Sequence, residues 1–127
     1  MEQVINSKVW RLQGAFSVGD PGLLSLDQGR VSFITEQGEI FNVPLGEVKN
    51  VNWPFLQFGF GFNAVVNGVK YKFTFMKPNG AADLDDSALS QLASFTRLGR
   101  GVDAVGTLFN WGDNKKSAKQ WKAVLVG

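Results

Sequence analysis

The side chains of this chain that could do chemistry are mostly cations. Lys115, Lys116, Lys119 and Lys122 cluster near the C-terminus, and no acid follows Asp113. Lys115, Lys119 and Lys122 are spaced i, i+4, i+7, which places them on one helix face. Such a stripe suits an anionic membrane surface, where each lysine near the bilayer contributes about 1 kcal/mol. The plainer alternative is a solvated face opposite Trp121, with cations favoured near a helix C-terminus. Lys70 and Lys72 form a second basic pair, two residues apart beside a turn, with Arg30 as a further cation. They are candidates for binding an anionic surface. The alternative is that outward lysines keep a sheet soluble and deter pairing at its edge.

Two aromatic groups complete the candidates. Trp53, Phe55 and Leu56 flank Pro54, where bulky apolar groups form an interface patch unless something covers them. Leu108, Phe109 and Trp111 precede the lysines. They could dip into a membrane interface, or pack on the rest of the chain or on a second copy of it.

Much chemistry is excluded. The 127 residues contain neither cysteine nor histidine. Disulfides, thiolate nucleophiles, zinc–thiolate sites and Ser–His–Asp or Cys–His mechanisms are therefore absent. Carboxylate and lysine chemistry remain, yet the inward strand positions read as uniformly apolar. Gly59-Phe60-Gly61-Phe62-Asn63-Ala64 fits G-x-G-x-x-A, but its period of two runs straight through the glycines with no helix opening behind it. Asp83, Asp85 and Asp86 lack the later ligands of a calcium loop and read as a helix start. No catalytic residue, cofactor or metal ligand is assigned, and the chain is read as a non-enzyme. A net charge of +2 gives no case for nucleic acid.

An apolar fraction of 44% and a charged fraction of 19% fit one globular domain over residues 1–127. No stretch reaches the roughly 18–20 apolar residues that span a bilayer. Met1 to Val9 is polar, which predicts no signal peptide and a cytoplasmic protein, peripheral to a membrane if the lysines meet lipid.

The elements that must position these residues are mostly strands, over about 8–76. Lys8–Phe16 reads as a first strand with a bulge at Gly14, then Gly19-Asp20-Pro21-Gly22 as a turn. Leu23–Leu26, Arg30–Thr35 and Glu39–Leu45 follow, with Asp27-Gln28-Gly29 as a tight hairpin loop. Val48, Val51 and Trp53 mark a short irregular strand. Phe58–Val66 alternates clearly, with Phe58, Phe60, Phe62, Ala64 and Val66 on one face. Asn67-Gly68 is a strong hairpin signal, because a type I′ turn needs positive φ twice. Lys70–Phe75 turns Tyr71, Phe73 and Phe75 inward and its lysines outward. A helical region over about 83–126 comprises segments near Ser87–Thr96, Val102–Phe109 and Lys115–Val126. The last buries Ala118, Trp121, Val124 and Leu125.

The spacing in Gly22-Leu23-Leu24-Ser25-Leu26, Arg30-Val31-Ser32-Phe33, Val43-Pro44-Leu45 with Val48 and Val51, Phe58 to Val66, Gly68, and Tyr71-Lys72-Phe73-Thr74-Phe75 resembles the GRAM branch of the pleckstrin-homology-like superfold. The likeness covers roughly residues 8–76. It implies a mainly β (α+β) fold: a seven-stranded antiparallel barrel or sandwich capped by a helix. Trp121 suits the cap, and the helix near Ser87–Thr96 competes for it. The resemblance further implies a binding or adaptor module for a protein partner or lipid head groups. It transfers no ligand residues, and the loop Ser17-Val18-Gly19-Asp20-Pro21 carries an acid and no base where the usual lipid cluster lies. A structural self-association module, giving a homo-oligomer, is the alternative. A small apolar ligand carrier is the further one.

Overall fold

The computed structural model describes residues 5–12, 19–53, 61–78, 80–93 and 114–125. In chain order the elements are β1 (Ile5–Arg11), β2 (Asp20–Asp27), β3 (Arg30–Thr35), β4 (Gly38–Pro44), a 3-10 turn (Leu45–Glu47), β5 (Lys49–Asn52), β6 (Gly61–Val66), β7 (Val69–Thr74), α1 (Asp86–Ala93) and α2 (Asn114–Val124). The strands form one seven-stranded antiparallel sheet in the order β4-β3-β2-β1-β7-β6-β5.

Ring contacts show how this sheet is bent. Phe33 on β3 and Phe73 on β7 have ring centroids 4.9 Å apart. Yet β2 and β1 lie between their strands, which in a flat sheet would separate them by about 14 Å. Phe41 on β4 and Tyr71 on β7 meet at 5.0 Å across one strand more. The sheet therefore folds over, and its halves enclose one aromatic core that includes Phe33, Phe41, Phe62, Phe73 and Phe75. It does not close. No ladder joins β4 to β5 among the described residues, so the expected barrel is an open sheet with two edges. Pro44, which lacks an N–H, ends β4, and β5 is four residues long and irregular.

α2 covers one side of the core. Ala118, Trp121 and Leu125 are buried in it, as their helical spacing predicts. The Trp121 indole N–H donates to Ser7 Oγ at 3.0 Å, and the Trp53 indole N–H donates to the Leu125 carbonyl at 3.2 Å. Of the two helices competing for this role, α2 fills it.

α1 and the segment leading into it lie on the opposite face of the sheet. β1, β2 and β3 are buried on both sides: Val9, Leu24, Val31 and Phe33 face the aromatic core, while Trp10, Leu23 and Ile34 are buried outside it. The Trp10 indole N–H donates to the Ala82 carbonyl at 2.8 Å, and Lys8 Nζ pairs with Asp83 at 2.9 Å. Leu84 and Leu92 are buried there too. Asp85 opens α1 by accepting the Ala88 N–H at 2.8 Å, so the acidic run is a helix start.

Two local expectations change. Gly19-Asp20-Pro21-Gly22 is no turn, because Asp20 to Gly22 belong to β2 and pair with Arg11 to Val9. Pro21 is tolerated close to the strand's first residue. The first strand begins at Ile5, three residues before the expected Lys8, and runs to Arg11; the rest of the expected strand beyond Leu12, with the bulge at Gly14, lies outside the described residues. The hairpins hold as read. Gln28 and Gly29 have φ of 52° and 75°, and Asn67 and Gly68 have 52° and 78°, the paired positive values of type I′ turns. The helix expected at Val102–Phe109 lies outside the described residues.

Candidate functional site

The alternation of β6 and β7 decides what faces out. Phe62, Ala64 and Val66 on β6, and Tyr71 and Phe73 on β7, are buried. Asn63 and Val65, Lys70 and Lys72 therefore stand on the other face. The register aligns them: Asn52 opposes Asn63, which opposes Lys72, and in the next row Lys49 opposes Val65, which opposes Lys70. β1 extends this surface beyond β7, where the Leu12 N–H donates to the Lys72 carbonyl at 2.8 Å.

β5 carries a bulge at this place. Asn50 and Val51 both fall between Lys49 and Asn52, whose partners Val65 and Asn63 enclose only Ala64. Asn50 has a φ of 54°, a left-handed value that asparagine tolerates better than most residues. The extra residue lets Val48 and Val51, three positions apart, both pack on the core. Asn50 and Asn52 stay exposed on the outer surface.

The result is a groove of about 620 Å³ lined by Arg11, Leu12, Asn50, Asn52, Asn63, Ala64, Val65, Lys70, Tyr71 and Lys72. Its lining holds cations and carboxamides and no acid. The Arg11 guanidinium lies 4.4 Å from the Tyr71 ring centroid, a cation–π contact that holds it on the core side of the sheet, opposite Lys70 and Lys72. No described acid pairs with Lys70 or Lys72 in a salt bridge. Asp20 opposes Arg11 in the β1–β2 ladder but does not line the groove. Asn63 Oδ1 is shielded from solvent and accepts no hydrogen bond.

Sequence reasoning singled out Lys70 and Lys72 and missed Arg11, Asn50, Asn52 and Asn63. The outward position of Asn63 in the alternating Phe62–Val66 run was a usable signal. Arg11 borders the groove because β1 lies beside β7, with its guanidinium on the Tyr71 side of the sheet. Arg30, the third cation named with the pair, lies on β3 and does not line the groove. It donates through Nε to Asn42 Oδ1 at 2.9 Å and through Nη2 to the Asn42 carbonyl at 3.0 Å.

Lys119 and Lys122 are exposed on α2, and Lys115 and Lys116 belong to its first turn. Lys122 Nζ lies 5.7 Å from the Trp53 ring centroid. Trp53 itself is half-buried, with its ring 5.0 Å from Phe62 and stacked at 6.4 Å on Phe75. Phe55, Leu56, Leu108, Phe109 and Trp111 lie outside the described residues. No described helix is long and apolar enough to cross a membrane. The chain matches no protein-family model and no curated protein sequence.

Proposed function

We propose that this chain is a non-enzymatic binding module of pleckstrin-homology-like, GRAM-like architecture that recognises an anionic partner in the cytoplasm. The strand order, the folded-over sheet and the C-terminal helix that inserts Trp121 support the architectural part. The observation that carries the function is the groove over β5, β6 and β7. Its outer face carries Lys70 and Lys72 side by side, with no acid among the described lining residues. On a chain of net charge +2, that local concentration of one sign matters more than the total. Carboxamides beside the cations add directional hydrogen bonds to the attraction.

The groove is preferred to α2 because it is concave and its two lysines stand beside the carboxamides of β5 and β6. Lys119 and Lys122 stand on a convex helix surface. Retention on immobilised heparin separates these sites. Lys70→Glu/Lys72→Glu and Lys119→Glu/Lys122→Glu change the net charge equally. The first is expected to elute at markedly lower salt than the parent, and the second close to it. Equal shifts, or a larger one for the α2 pair, would contradict the assignment.

A further inference from the structure

We propose that the groove takes an extended acidic peptide segment of a partner protein. This rests on the reading of the groove as the anion-recognising site and adds the chemical class of its occupant.

Hydrogen-bond demand favours a peptide over a bare anion. Asn50, Asn52 and Asn63 present carboxamides, each a donor and an acceptor. A carboxylate or an ionised phosphate offers acceptors alone, which suits Lys70 and Lys72 and gives the carboxamide oxygens of the exposed Asn50 and Asn52 no donor. A peptide brings N–H and C=O groups on its backbone and negative charge on its side chains.

Spacing points the same way. Lys70 and Lys72 are two residues apart on one face of β7, separated by roughly 6.5–7 Å along the strand. Side chains at alternate positions of an extended peptide repeat at that distance. Acids at alternate positions therefore meet successive lysines. A bilayer surface fits less well, because the groove is recessed and its apolar side chains, Leu12 and Val65, are modest in size.

The test compares fluorescein-labelled oligoglutamate with polyacrylate of matched charge, which carries the same carboxylates and no backbone amides. Phosphatidylcholine vesicles with and without phosphatidylserine form the third arm. The proposal expects saturable binding of oligoglutamate, weaker binding of polyacrylate, and loss of both in Lys70→Glu/Lys72→Glu. It expects Asn52→Ala to weaken oligoglutamate by up to about tenfold, the worth of one neutral hydrogen bond, and to leave polyacrylate unchanged. If Asn52→Ala fails to fold, Asn50→Gly, where glycine tolerates the positive φ, gives the same comparison. Equal affinity for the two polymers would overturn the peptide and leave the anion-recognising groove standing. Binding of phosphatidylserine vesicles without oligoglutamate would overturn it in favour of a membrane. Failure of every anion would remove both readings.

Discussion

Gly22 shows at the scale of one residue why the folded-over sheet tolerates so little change. It lies in β2 opposite Val9, and a Cβ there would sit 2.7 Å from the Ile34 carbonyl oxygen and 2.7 Å from Phe33 Cε1. The first contact is with backbone, and the second is with a ring fully buried against Phe73. Neither yields without moving the core. Gly22→Ala is expected to destabilise the protein by about 1–3 kcal/mol, the usual cost of overpacking. Urea denaturation would report a lower midpoint with an unchanged slope. A parental midpoint would show that the Phe33 ring has room the structure does not give it. In the sequence this glycine reads as a turn signal beside Pro21. Its actual role depends on a ring from another strand, which no local pattern encodes. The Asn50 bulge was legible only indirectly, through Val48 and Val51 standing three apart.

Among the elements, the segment from Ala81 through α1 is held to β1 by a mixed set of contacts. Trp10 and Lys8 reach it from the sheet, and Lys8 Nζ also lies 3.5 Å from the Leu84 carbonyl. Burial acts to raise the pKa of Asp83. The Lys8 hydrogen bond, the Leu84 N–H and the charges of Lys8 and Lys77 outweigh it, so the carboxyl lies below its ordinary range. A carboxyl depressed in the folded state stabilises above its unfolded pKa of about 3.9, and that contribution is lost as pH falls through the folded value. Thermal melts between about pH 6 and pH 2 should therefore fall less steeply for Asp83→Asn than for the parent. Parallel profiles would mean that the pair adds nothing to docking. The effect is expected to be modest, because the Asp83 side chain is 47% exposed. This docking was hidden in the sequence for a physical reason. Leu23-Leu24 and Phe33-Ile34 are adjacent apolar pairs, a sign of strands covered on both faces, and they do not say which segment covers them. The apolar stripe of α2 was fully legible, because Ala118, Trp121 and Leu125 repeat at the helical period.

For the whole molecule, topology converts scattered polar residues into one surface. Asn52, Asn63 and Lys72 come from three strands, and only the β5–β6 and β6–β7 pairings set them in one row. The outward lysines of β7 were readable from alternation, whereas the groove needed the strand order and the β5 bulge. The open sheet follows from the same elements. Among the described residues, short, irregular β5 and Pro44-terminated β4 offer each other no ladder. An amide-resolved NMR titration with a short heparin oligosaccharide tests most directly whether this surface is where anions land. The largest shifts are predicted at Asn50, Asn52, Asn63, Lys70 and Lys72. Shifts concentrated at Lys119 and Lys122, or spread evenly over the surface lysines, would contradict the groove as the site.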